Sequence, residues 1–547
     1  MQDTPKVFFT PGFWVRCSLA VLPVGYMVMA FWVRAQGGPA WLWFNLDPDY
    51  FYLLDSLNII NLTTPGHVYH PGTTVQWLGA LILKISHWGA SADALAAKVL
   101  ADPESSLSLI STVFILINGA CAWVVGVVGL RVFGGVLAAL FLQMAPVISM
   151  VILKHSYHVK PEALLLATGL MLAAVSVLSL SPGVLARRRW RFAIAFGVIA
   201  GFGVATKITA FPVFLLPLFV LAGAGDSIGD GVKAMALYGI AALAALIVFT
   251  LPAVGAYDVF FNWMMTVSQG NSAYGGTAPV DPLTAYPLQV LKLFKRPAFH
   301  VVFILGVVAV IFAIRRRTGP APEIRLLAGI VVSQFAHALL IAKQANAIYM
   351  IPSFLLIPLA FVLVWRLGEA LLAKPPGRSL GPGMAVLLAA LVAAQGVGVS
   401  KLARETAVNR DRAQSVNMDR FASCARVFSY AASSRSYALQ LGDYITGGRF
   451  AGQLSSLGSS QDYWLEHWWD QRRMIFRDWR GPQDMAKVLK GYPCVVYRAT
   501  DWPTIERLLP QVMSGPAVDK ICKAGPETIA TQGVDCDGSP LQRKSLK

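Results

Sequence analysis

Charge is what this chain lacks. Of its 547 residues only 14% are Asp, Glu, Lys or Arg, 56% are hydrophobic, and the mean hydropathy is +0.57. Such a composition excludes a soluble protein with one packed core per domain and leaves an integral membrane protein. Acidic residues are scarcer still, 29 against 46 lysines and arginines. That excess does not point to nucleic acid, because no basic surface interleaved with aromatics is present and polytopic proteins gather cations in cytoplasmic loops. No internal repeat is visible, which argues against a transporter built from inverted repeats. No small-x-small cleavage site follows the first apolar run before Arg34, so that run reads as an uncleaved helix. Cysteines are few: Cys17 and Cys121 sit in apolar runs, and Cys424, Cys494, Cys522 and Cys536 in a polar tail. No Cys-x-x-Cys spacing supports zinc there. Disulfides suit a tail outside the cytoplasm, with three pairings open and Cys522 with Cys536 the favoured short loop.

What is present is a series of apolar runs, at about 13–33, 106–130, 132–152, 161–180, 191–206, 208–223, 233–256, 298–314, 324–342, 345–366 and 382–399. The run 72–87 reaches only ~24 Å, short of a ~30 Å hydrocarbon layer, and holds Gln76 and Lys84. Read as a short helix lying in the outer interface, it leaves eleven spans with the N-terminus inside. Arg131, Arg187, Arg188, Arg189, Arg191, Arg315, Arg316, Arg317, Lys374 and Arg378 then all face the cytoplasm, as the positive-inside rule asks. The same topology puts the four-cysteine tail outside. The expected fold is an α-helical polytopic membrane protein of about eleven transmembrane helices, residues 1–399, followed by a small extracytoplasmic α/β domain, residues 400–547. In that tail CVVYRAT reads as a strand, DWPTIERLL as a helix and GDYITGG as a turn.

Chemistry belongs on the outer face. Residues 47–76, DPDYFYLLDSLNIINLTTPGHVYHPGTTVQ, place Asp47, Asp49, Asp55, His67 and His70 among tyrosines beside the lipid. Carboxylates there lose hydration and persist where a cation, a proton or a polar substrate meets them. In Asp47-Pro48-Asp49 one carboxylate can act as a base toward an acceptor hydroxyl while the other orients it or helps hold a divalent ion. The plainer reading is an N-cap on helix 50–60. Asp55 reads as a solvated helix residue. His70 stands at the start of the interfacial helix, where a phosphate or carboxylate is favoured. Lys160-Pro161-Glu162 opens a transmembrane helix with ordinary capping chemistry, and Lys160 faces the side of the acidic loop. Lys207, in ATKITAFP, either pairs with an anion or snorkels to the interface, and Lys343 is similar. The loop 257–297 is expected to hold one or two short interfacial helices. Acids from one loop and cations from three others thus form a groove suited to a substrate with phosphate and hydroxyls on a lipid chain.

In order and sidedness these motifs resemble the GT-C superfamily of membrane glycosyltransferases, which includes protein O-mannosyltransferases and lipid A aminoarabinose transferases. DPDYFYLL stands where that family has an acidic motif after its first helix, and YHPGTTVQWL where a basic residue and prolines open a short interfacial helix. HVKPEALLLATGL is similar to its outer Pro-acid motif, GFGVATKITAFPVFLLP to its Gly-rich helix ending in a lysine, and KQANAIYMIP to its late Lys…Tyr-x-x-Pro segment. Three positions depart from the pattern: Asp47-Pro48-Asp49 replaces Asp-Glu, Gly72 replaces a proline, and Ile348 stands where an arginine often precedes the tyrosine. The resemblance implies transfer of a sugar from a polyprenyl-phosphate donor to a lipid, glycan or protein acceptor at the outer face of a bacterial inner membrane, with the tail periplasmic. On that reading Asp49 is the base, Asp47 assists, and His70, Lys207, Lys160, Glu162, Lys343 and Tyr349 bind substrate; the need for a divalent cation is left open. The rival readings are a lipid or glycan transporter and a non-catalytic protein of envelope assembly.

Overall fold

The computed structural model describes residue 12 and residues 17–541, apart from 43–48, 226, 269–284, 317–318, 320, 372–380, 430, 458–459, 467–473 and 514–517. Asp47, Arg317, Lys374 and Arg378 therefore lie outside the described residues. In hydrocarbon a backbone must satisfy its own N–H and C=O groups, so apolar stretches with proline confined to the first turn build the long helices. The elements used below are α1 Val21–Gly37, α2 Asp49–Ile60, α3 Thr73–Ser86, α4 Pro103–Phe133, α5 Pro161–Ser179, α6 Arg189–Thr206, α7 Ile228–Thr250, α8 Pro297–Arg316, α9 Ala321–Ile341, α10 Ile357–Leu371, α11 Gly381–Gln414 and α12 Arg435–Ile445.

Among the described residues six helices are long and apolar enough to cross a membrane, or seven if Ala347–Phe354 and Ile357–Ala370, bent by 44°, count as one span. The expected count of about eleven transmembrane helices is not confirmed by these six or seven, because several of the apolar runs are broken. Run 132–152 divides into Val136–Leu142, the 3-10 turn Ala145–Val147 and Met150–Ser156, and run 208–223 into Ile208–Leu215 and Leu216–Leu221. Pro146, Pro212, Pro217 and Pro352 stand at or near these breaks. Each lacks an N–H and crowds the preceding turn, which interrupts a regular helix. The chain is a multi-pass membrane protein all the same, with a large apolar core running from Tyr26 to Ala403. Within it α6 packs closely against α7. A Cβ at Gly201 would lie 2.5 Å from the carbonyl oxygen of Ala242, a distance only glycine permits.

Helix direction sorts the charges. From Lys160 α5 runs away to Ser179, the chain turns through Arg187, Arg188 and Arg189, and α6 returns to Lys207, which meets Glu162 at the start of α5. The arginine turn thus lies a helix length, about 28 Å, from Lys207. At that same far end Arg189 pairs with Asp230 at 3.0 Å, and Arg366 pairs with Glu323 at 2.9 Å.

Among its described residues the loop 257–297, expected to hold one or two short helices, contains Tyr257–Ser268 and Ala285–Leu293. The last long helix was expected to end near 399. Instead α11 continues through position 400 to Gln414, because SKLARETAVNRDRAQ is rich in strong helix formers. A seven-stranded mixed sheet follows, in the order β4-β3-β2-β1-β5-β7-β6, with β1 Ala425–Ser429, β2 Asp462–Glu466, β3 Ile475–Asp478, β4 Gly481–Pro482, β5 Val495–Ala499, β6 Lys520–Ala524 and β7 Glu527–Gln532. CVVYRAT supplies β5 and DWPTIERLL the helix Trp502–Leu508, capped by Asp501. In GDYITGG, however, Gly442–Ile445 complete α12, and only the following residues turn.

Disulfides join Cys424 to Cys494 and Cys522 to Cys536, the favoured pair among them. A buried ion pair, Arg498 with Glu527 at 2.8 Å, links β5 to β7, while Arg498 also donates to the carbonyl of Ala413 at the end of α11. One face of the sheet covers its own helices; on the other, Phe428, Trp464 and α12 share a core with α2, α3 and α4. Through α12 the sheet-bearing part therefore packs on α2.

Candidate active site

Asp49 begins α2, where the helix N-terminus favours a carboxylate. It is only 7% exposed. Its Oδ2 lies 3.1 Å from Nδ1 of His158. Burial pushes the carboxyl pKa up, but His158, the charge of Lys160 and the Val159 amide outweigh burial and hold it below the usual carboxylate range. An ionised Asp49 accepts a hydrogen bond from His158 Nδ1–H. Sequence reading passed over His158; the spacing of KHSYHVKPE contains no signal that would single it out. A few residues back, His155 is pushed down to about 3, chiefly by burial.

Asp55 is not the solvated helix residue that was expected. It is completely buried. It accepts hydrogen bonds from the amides of Gly66 and His67 at 2.8 and 2.9 Å, from Gln76 Nε2 at 2.9 Å and from Asn58 Nδ2 at 3.0 Å. Burial raises its pKa to about 6 against these donors. Four N–H groups converging on one carboxylate fold the 66–76 segment over α2, and Asn58 extends the contact to the carbonyl of Thr446 after α12 at 2.8 Å. The consequence is a shaped aromatic lining. The His67 ring meets those of Phe51, Tyr52, Tyr69 and His70, Tyr69 meets Trp263, and Tyr52 Oη lies 2.6 Å from His70 Nε2.

The His70 turn reaches the Lys207 hairpin through the backbone. Pro71 and Lys207 form an antiparallel bridge, and the Ile208 amide donates to the His70 carbonyl at 2.9 Å. Gly72 then enters α3 with φ +73, a left-handed conformation closed to proline, whose ring holds φ near −65°. That explains the glycine at this position. Lys207, itself buried, donates to Oε1 of Glu162, and its ammonium lies 4.9 Å from the centre of the Tyr349 ring. Glu162 is thus more than a cap: it is the anion that a lysine in so apolar a setting requires.

His70, Glu162, Lys207 and Tyr349, from four separate stretches, therefore meet at one place. Asp49 joins them through the short stretch from His158 to Glu162, in which Lys160 is buried and acts electrostatically on Asp49. Lys343 lies on the turn Ala342–Gln344 between α9 and the Tyr349 turn, half-buried, beside the helix Ala285–Leu293. Among the described residues no group of three His, Cys, Asp or Glu side chains is arranged to hold a metal ion.

These features define a polytopic membrane protein in which Asp49, Glu162, Lys160 and Lys207 are buried at one end of the helices, on the side of a disulfide-bonded sheet. No family model matches the sequence, and no curated protein matches it. Among solved structures the chain is similar to ArnT from Cupriavidus metallidurans, in a crystal structure bound to undecaprenyl phosphate. The two are 13% identical with a TM-score of 0.47, over 95% of this chain and 98% of that one.

Proposed function

We propose that this protein is a glycosyltransferase that moves a sugar from a polyprenyl-phosphate carrier to a lipid, glycan or protein acceptor at the non-cytoplasmic face of a bacterial inner membrane. The observation that carries this reading is the meeting of Lys207, Glu162 and Tyr349 with the His70–Pro71 turn, one short stretch away from Asp49. Displacement at an anomeric carbon leaves a lipid phosphate, and cations held in a low-dielectric site stabilise the charge that develops on it. Lys207 and His70, beside the N-terminus of α3, are suited to that phosphate. The acceptor must lose a proton. Asp49, ionised and hydrogen-bonded to His158, supplies an oriented base pair for it, with Nε2 of His158 or the carboxylate itself as the accepting atom. Lys160 and Lys343 are secondary phosphate or donor-sugar contacts, and Asp47 assists its neighbour.

The same reading assigns residues 1–399 to the membrane catalytic part, in eleven passes that include the broken ones, and residues 400–547 to a periplasmic part. Two features support that sidedness: arginine turns at the helix ends remote from Lys207 and two disulfides in the tail. A transporter would need ionisable residues deep within several spans, whereas Glu162 in α5 and Glu323 in α9 both stand in first turns. The deciding experiment is mass spectrometry of envelope lipids and glycans from a strain lacking the protein, complemented with wild type or with Asp49→Asn. One sugar missing in the deletion strain, restored by wild type and not by a normally inserted Asp49→Asn, is the expected result. Full restoration by the variant ends Asp49's role, and an unchanged glycan and lipid profile ends the transferase reading.

A further inference from the structure

Outside the groove, the sheet-bearing part holds a recess of about 190 Å³ between α12, the helix Ala451–Leu457 and strands β2 and β3. Four buried polar atoms on its lining residues have no hydrogen-bond partner among the described residues: both amide atoms of Gln440, Nε1 of Trp464 and Nε of Arg477. Gln440 is 4% exposed and Trp464 2%. Buried donors and acceptors are almost always satisfied, so a group of them around one hollow points to an occupant that completes them.

The charges say what kind. Arg477 is matched by Glu466 at 3.0 Å and stacks on Tyr444 at 4.1 Å, while Arg480 is matched by Asp478. An anion would find no uncompensated cation and would face the Gln440 carbonyl oxygen and the Asp443 carboxylate. An apolar ligand would leave the polar atoms unmet. A neutral ring bearing hydroxyls, each both donor and acceptor, satisfies the three N–H groups and the acceptors together, and the aromatic residues Tyr444, Trp464 and Trp479 line the same hollow. The volume falls below the usual range for drug-sized ligands, which suits one ring and not a chain of them.

We propose that this recess, built from residues of the sheet-bearing part, is a binding site for one neutral sugar unit. It stands on the sheet's own residues, so it does not depend on whether the groove transfers sugar. Because α12 also packs on α2, a glycan held here sits on the same structural unit that carries Asp49.

The test uses full-length protein in nanodiscs and saturation-transfer NMR with methyl pyranosides of glucose, mannose, galactose and arabinose, and with sulfate as an anion competitor. At least one pyranoside should bind, sulfate should not displace it, and Gln440→Leu and Trp464→Phe should each weaken binding at least tenfold. Ala451→Phe, which fills the recess without deleting a polar contact, should abolish the signal, and it carries the test if the other two fail to fold. Absence of signal from every pyranoside, displacement by sulfate, or survival of binding in Ala451→Phe would each overturn the assignment.

Discussion

Pro71 and Lys207 pair backbone to backbone, joining the turn that carries His70 to the hairpin whose lysine is neutralised by Glu162. Through that bridge the interfacial segment and the membrane helices become one site. The side-chain pair beneath it has a testable energetic signature. Removing one partner of a buried ion pair leaves an uncompensated charge, at a cost of roughly 3–5 kcal/mol, whereas removing both is close to neutral. Glu162→Gln and Lys207→Met should each lower the thermal midpoint in detergent by several degrees, and the double variant should recover most of that loss. Sugar transfer, assayed on the same preparations, should remain lost in the double variant. Recovery of transfer along with stability would show that the lysine is only structural.

Asp49 and His158 should act as a unit. Removing a general base slows a reaction by roughly 10²–10⁴-fold. Asp49→Asn and His158→Gln should each fall in that range, and the double variant should lose little more than either single one. Multiplicative losses in a steady-state transfer assay would mean that the two residues work independently.

The buried Asp55 predicts a pH dependence of stability. Its pKa rises to about 6 in the folded protein, from an ordinary 3.8. Between those values the folded form keeps a proton that the unfolded chain releases. Its contribution to stability is therefore fully present below the ordinary value and is lost as pH rises through about 6, with a slope of at most about 1.4 kcal/mol per pH unit. Asp443, pushed up to about 6 by burial, acts in the same direction. Moving from pH 7.5 to 5 should thus stabilise wild type more than Asp55→Asn, as read from the two shifts in unfolding midpoint. Equal shifts would remove Asp55 as the source.

The disulfides should contribute unequally. Cys424 and Cys494 are 70 residues apart, Cys522 and Cys536 only 14. Loop-closure entropy then makes the first worth about 4 kcal/mol and the second about 3. Paired Cys→Ala substitutions, compared by resistance of the sheet region to proteolysis, should rank in that order, with the Cys424 and Cys494 pair more damaging.

Composition and order along the chain were sufficient for the class of protein, since apolar runs of spanning length have few alternatives and arginine clusters report sidedness. The candidates Asp49, His70, Glu162, Lys207 and Tyr349 were legible because charge and ring polarity are conspicuous in so apolar a sequence. What no local pattern contains is who meets whom. That Glu162 neutralises Lys207, that His158 holds Asp49, and that Asp55 is an internal tie instead of a surface residue all depend on helices brought together from distant stretches. The interruptions at Pro146, Pro212 and Pro352 likewise depended on whether neighbouring helices could accept the freed backbone groups, which is a property of the packed bundle. Burial, and with it the sign of every pKa shift discussed, exists only once the tertiary structure has chosen which side chains lose water.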